Sequence, residues 1–138
     1  MMVLDASMTV SWHFVDESSS RTEAVYDEVI EHGAVVPVHW RIEVANAFAT
    51  AVRRARLTPN FRTEALARLE NLPVEIDLDS ARNAWGATQD LCDRFQLTAY
   101  DAIYLEVARR RGLRLATLDR KLMDAAKLAG VPLRLQDT

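Results

Sequence analysis

LTAYDAIYLEVARRRGLRLATLD, residues 97–119, holds a helix, a stop and a strand in one unbroken run. At about 100° per residue, Tyr100, Ile103, Tyr104, Leu105, Val107 and Ala108 fall on one broad apolar arc of a helix over 99–111. Thr98 is placed to cap its start and Gly112 to end it. LRLATL, 113–118, then reads as a buried strand closed by Asp119. A helix that returns directly into a strand is the repeating unit of an α/β chain, and the rest of the sequence follows the same rhythm.

Working outward, short apolar runs occur at 3–5 (VLD), 34–38 (AVVPV), 73–76 (PVEI) and 131–135 (VPLRL). Amphipathic segments lie between them at about 18–32, 40–55, 60–71, 80–95 and 120–129, with SSS at 18–20 as a loop or helix cap and Gly130 as a stop. Parallel neighbours need crossovers, so the alternation predicts a mostly parallel sheet of about five strands in a three-layer α/β/α sandwich. Neither an internal repeat nor a linker interrupts the 138 residues, which are expected to form one domain, 1–138.

Hydrophobic residues make up 49% of the chain, enough for one good core. Cys92 is the single cysteine, which excludes a disulfide framework and a cysteine-rich zinc site and fits a reducing cytoplasm. No apolar run approaches membrane length, and the N-terminus lacks the pattern of an export signal. The net charge of −3 argues against a nonspecific nucleic-acid coat. It hides an asymmetry, because residues 16–31 are acid-rich while Arg53, Arg54, Arg56, Arg62 and Arg68 face only Glu64.

Asp101 lies on the apolar side of its helix, between Leu105 and Ala108, and a buried carboxylate needs a partner. One partner is local: Thr98 and Asp101 have the spacing of a capping box. The other would come from elsewhere in the fold. Asp5 ends the first strand and Asp119 the strand at 113–118, the edge where open parallel sheets bind ligands. Each also has a cap reading. Glu43 sits beside the apolar stripe Trp40, Val44, Phe48 and Val52, on a polar stripe with Asn46, Thr50 and Arg53 that also reads as a solvated face. If Asp5, Glu43, Asp101 and Asp119 converge, their mutual repulsion calls for a divalent cation, and an all-oxygen donor set suits Mg²⁺ or Mn²⁺.

VLDAS, WRIEVANAF, LTAYDAIYLEVA and LATLDRKLMDAA together resemble the PIN-domain family, most closely its VapC-type toxins. The resemblance spans nearly the whole chain. It implies an α/β/α sandwich with neighbouring first and fourth strands, which would bring Asp5 and Asp119 together. It also implies a metal-dependent endoribonuclease in which Asp5, Glu43, Asp101 and Asp119 hold the Mg²⁺ or Mn²⁺, supported by Ser7, Asn46 and Thr117. Cleavage would leave a 5′-phosphate and a 3′-hydroxyl on structured cellular RNA. Implied partners are a small VapB-like antitoxin and a second copy of the chain, paired through helices of the N-terminal half. Leu122 departs from the family pattern, in which an aromatic is common.

Arg53, Arg54, Arg56 and Arg62 are candidate phosphate contacts, with solvated faces and ion pairs as the alternative. His13, His32 and His39 are not assigned to metal or to base chemistry, and Trp12, Trp40 and Trp85 are expected in the core. Asp124 is expected on a surface helix position. Two other classes share the layered fold. A haloacid-dehalogenase phosphatase needs a second acid where Ser7 stands. A receiver module needs paired acids at the first strand and an acceptor such as Asp77 or Asp79 after the third. A noncatalytic PIN adaptor would have no need of four costly acids.

Overall fold

The computed structural model describes residues 1–135. Four strands, β1 (Met2–Leu4), β2 (Ala34–Pro37), β3 (Val74–Asp77) and β4 (Arg114–Ala116), form one sheet in the order β3-β2-β1-β4. Every pairing is parallel, with Val3 opposite Val35 on one side and Leu115 on the other. β1 to β3 step outward in one direction, and the chain then returns to lay β4 on the far side of β1. Strand order therefore reverses between β1 and β4, and β1 and β4 end at a crevice of the kind in which open α/β sheets bind ligands.

Eight helices flank the sheet among the described residues: α1 (Ala6–Ser11), α2 (Ser20–His32), α3 (Trp40–Arg53), α4 (Pro59–Glu70), α5 (Asp79–Asn83), α6 (Ala87–Phe95), α7 (Ala99–Arg111) and α8 (Arg120–Ala129). α7 packs across β1, β2 and β4 and is itself covered by α5, α6 and α8. Seven consecutive residues, Ala102 to Ala108, are buried, so this helix, late in the sequence, sits at the centre of the structure. It starts where the Thr98 hydroxyl accepts the Asp101 N–H. It stops at Gly112, which with Gly130 at the end of α8 adopts the left-handed conformation, φ 66° and 76°, that side chains disfavour.

Burying α7 on nearly all sides traps Glu106, 3% exposed, and nearby Asp77 at the end of β3, 5% exposed. Arg110 answers both, 2.7 Å from Glu106 and 2.8 Å from Asp77. Arg111 adds a second contact to Asp77 at 3.2 Å and one to Glu75 at 2.6 Å. This ion network fastens the carboxyl end of α7 to the outer strand β3. It also commits Asp77 to two guanidinium groups, which leaves it unsuited to accept a phosphoryl group.

The structure corrects several sequence expectations. The sheet has four strands rather than about five, because VPLRL makes only an isolated bridge, Leu133 to Leu115. The segment 80–95 is two helices separated at 84–86, where Gly86 departs from helical geometry. α1, six residues long, shows no readable period in the sequence and forms because Asp5 caps it. Tyr100 leaves the apolar arc of α7 and is 67% exposed. Trp85 is 93% exposed rather than in the core, whereas Trp40 is buried and donates its N–H to Thr9 at 3.0 Å.

Candidate active site

Asp5 follows β1 directly and is 4% exposed. Its Oδ1 accepts the Met8 N–H at 2.9 Å, the cap of α1, and the Ser7 hydroxyl at 2.8 Å. The Thr117 hydroxyl, carried just past the end of β4, donates to Oδ2. Thr117 in turn accepts the Asp119 N–H at 3.0 Å, and Ser7 accepts the Leu118 N–H at 3.0 Å. The ends of β1 and β4 are thus stitched together by two hydroxyls that share one carboxylate. Burial pushes the Asp5 carboxyl up to about 7; the hydrogen bonds oppose that rise and the Asp119 charge adds to it.

Asp119 caps α8, its Oδ1 accepting the Leu122 N–H at 2.9 Å. Asp5 and Asp119 are therefore both caps, and the Asp119 charge also reaches Asp5, so a capping role does not keep the two acids apart. Asp101, in the first turn of α7, is half-buried. Its carboxyl is pushed up by burial, then by the charges of Asp119 and Glu43, against lowering contributions from Thr98 and His39.

Glu43 lies in the first turn of α3. Its Oε1 accepts the Tyr104 hydroxyl at 2.6 Å and lies 3.2 Å from His39 Nε2. Partial burial raises its carboxyl, but the hydrogen bonds from His39 and Tyr104 outweigh that and hold it below its ordinary value. His39 Nε2 also lies 2.9 Å from the Tyr100 carbonyl. Neither His39 nor Tyr104 is marked as a site residue by its local sequence, since each contact with the other helix spans 61 positions. A buried tyrosine hydroxyl that needs a partner was the one available signal.

Four acids from four elements thus meet at one edge of the sheet. Asp5 and Asp101 both feel the Asp119 charge, and Asp101 also feels Glu43. Among the described residues no three His, Cys, Asp or Glu side chains are drawn together as a ready metal site. The reason is visible in the bonds just described: Asp5, Glu43 and Asp119 are each turned toward protein donors. The donor chemistry nevertheless fits a hard divalent cation, because every side chain offers oxygen, and burial first and neighbouring carboxylate charge second hold protons on Asp5 and Asp101 more tightly than usual.

Other residues named from the sequence lie differently. Ser7 and Thr117 bond Asp5 directly, whereas Asn46 is exposed one turn beyond Glu43 and enters none of these bonds. Arg53 and Glu43 occupy opposite ends of α3, about 15 Å apart along its axis at 1.5 Å per residue. Arg56 is spent on Asp16 at 3.0 Å and on the ring of Phe14. Arg54 follows α3 and Arg62 lies on α4, so the fold does not bring the four arginines to the acids. Asp124 is exposed on α8 as expected, and Leu122, fully buried, fills its position as core.

The family model of the PIN domain matches residues 2–128 of this chain. The chain belongs to the PIN-domain family. Among individual proteins it is similar to Ribonuclease VapC3 of Mycobacterium tuberculosis, with 32% identity over 126 residues that cover 90% of this chain and 86% of that protein. Two solved structures share the fold. PAE2754 from Pyrobaculum aerophilum has a TM-score of 0.66 at 24% identity, covering 90% of this chain and 83% of that one. FitAcB from Neisseria gonorrhoeae has a TM-score of 0.62 at 19% identity, covering 96% of each.

Proposed function

We propose that this protein is a metal-dependent endoribonuclease, the toxin of a type II toxin–antitoxin pair acting in the cytoplasm. The observation that carries this reading is the meeting of Asp5, Glu43, Asp101 and Asp119 at the strand-order reversal, in a PIN-family chain similar over most of its length to a ribonuclease. Those four residues would hold Mg²⁺ or Mn²⁺. Bound there, the cation would supply an activated water and neutralise charge at the scissile phosphate.

The chain's own residues do the rest. Ser7 and Thr117 fix Asp5 between two strand ends, so its position follows the rigid sheet rather than a loop. Asp119, held by the α8 cap, keeps one oxygen for the backbone. Asp101, half-buried in the first turn of α7, has Thr98 beside it. RNA is the substrate we propose, with Arg53 at the end of α3 remote from Glu43, and Arg54, Arg56 and Arg62 beyond it, contacting phosphates away from the cleaved one. A small antitoxin and a second copy of the chain are the proposed partners. Among the described residues no helix is long and apolar enough to cross a membrane.

The test is cleavage of total RNA by the purified protein, stripped of any co-purifying partner. Activity should require Mg²⁺ or Mn²⁺, vanish in EDTA and fall by orders of magnitude in Asp5→Asn. Full activity in chelator would refute the mechanism.

A further inference from the structure

Tyr104 is the largest fully buried side chain among the described residues, 1% exposed, yet it carries a hydroxyl into the core. A phenylalanine would fill the same volume without a polar atom needing a partner. The hydroxyl donates to Glu43 Oε1 at 2.6 Å and accepts from the Ala6 backbone N–H at the start of α1. His39 closes on the same oxygen at 3.2 Å. Because Nε2 of His39 faces two acceptors, Glu43 Oε1 and the Tyr100 carbonyl at 2.9 Å, it must carry the ring proton. The imidazole thereby ties the first turn of α7 to the first turn of α3, with its ring 4.9 Å from that of Tyr104.

We propose that Tyr104 and His39 are positioning residues that clamp Glu43 through Oε1 and leave Oε2 as the oxygen for a divalent cation. The inference rests on the reading of Glu43 as a cation ligand. A glutamate has long-chain rotamer freedom that a metal ligand must give up. Here two donors, one from the most buried helix, remove that freedom before any ligand arrives. Outer-shell donors of this kind typically change metal affinity by about 10- to 100-fold when removed.

The experiment compares wild type, Glu43→Gln, Tyr104→Phe and His39→Phe by Mn²⁺ titration with electron paramagnetic resonance, by melting temperature in chelator, and by kcat and KM on one RNA. Tyr104→Phe deletes one oxygen from a packed ring and takes an acceptor from the Ala6 N–H, so the metal-free melting temperature should fall only modestly. Mn²⁺ affinity should fall about 10-fold and kcat should drop while KM for RNA holds. His39→Phe should move the same quantities in the same direction, and it carries the test if Tyr104→Phe does not fold. If Glu43→Gln loses Mn²⁺ while both clamp variants keep wild-type affinity and kcat, the clamp is wrong and the role of Glu43 stands. If Glu43→Gln itself binds Mn²⁺ and cleaves like wild type, the reading of Glu43 and the clamp fall together.

Discussion

The Thr117 hydroxyl, beyond the end of β4, donates to Oδ2 of Asp5, beyond the end of β1, so two neighbouring parallel strands are joined by one side-chain bond at the point where strand order reverses. The bond steadies a carboxylate that burial nonetheless makes costly to ionise.

That cost sets a sign. Asp5 has a folded pKa of about 7 against an ordinary 3.8, so between those values the native state binds the extra proton and stability falls as pH rises. Asp5→Asn should make the metal-free protein more stable at pH 7.5, by a few kcal/mol at most, with little gain near pH 4. Urea unfolding in chelator at stepped pH measures this. An Asn variant that loses stability equally at both ends would show that the hydrogen bonds outweigh desolvation.

His13 pulls the other way. Burial among Phe48 and Phe61, with the Arg68 charge, lowers its pKa from 6.5 to about 4, so its contribution is full above pH 6.5 and is lost as pH falls toward 4. Its Nε2 is buried without a hydrogen-bond partner. His13→Leu should hold neutral-pH stability level or higher and flatten the loss between pH 6.5 and 4, read in the same unfolding series.

Asp101→Asn separates cap from cluster. Thr98 alone accepts the N–H that caps α7, so the substitution removes a repelled charge without removing the cap. Metal-free stability should stay level or rise, while the melting-temperature increase produced by Mn²⁺ shrinks. A loss of about 1 kcal/mol, the usual cost of a cap, with the Mn²⁺ increase intact, would assign Asp101 to the helix end.

Arg110→Met is a control at the other end of α7. It strips Asp77 and Glu106, both nearly inaccessible, of their main counter-charge, and breaking such a buried pair costs about 3–5 kcal/mol. Calorimetry should show that loss. Mn²⁺ affinity of the folded protein should not change.

The strand and helix rhythm was legible because each buried strand is a short apolar run and α7 and α8 carry a cap and a glycine stop. Asp5 and Asp119 were legible as strand-end acids, since that position depends only on the local pattern. Three things were not. α1 is shorter than two helical turns, so no period can appear in it. The break at 84–86 lies inside a segment whose flanks both read as helix. The contacts of His39 with Tyr100 and of Tyr104 with Glu43 join residues that are strangers in sequence and neighbours only after α3 and α7 are brought together. Trp85 misled in the opposite sense, because large aromatic residues are usually covered and this one stands in a turn.

The enclosure of α7 also makes it a gauge. Backbone amides between Ile103 and Ala108 sit in a helix with no exposed side chain along that stretch, so their exchange with deuterated water should wait for the whole molecule to open rather than for local fraying. Any cation, RNA or protein that binds the native state will slow those amides by its full linkage free energy. Six peptide protons in the middle of one helix thus offer a way to weigh a ligand without knowing where it lands.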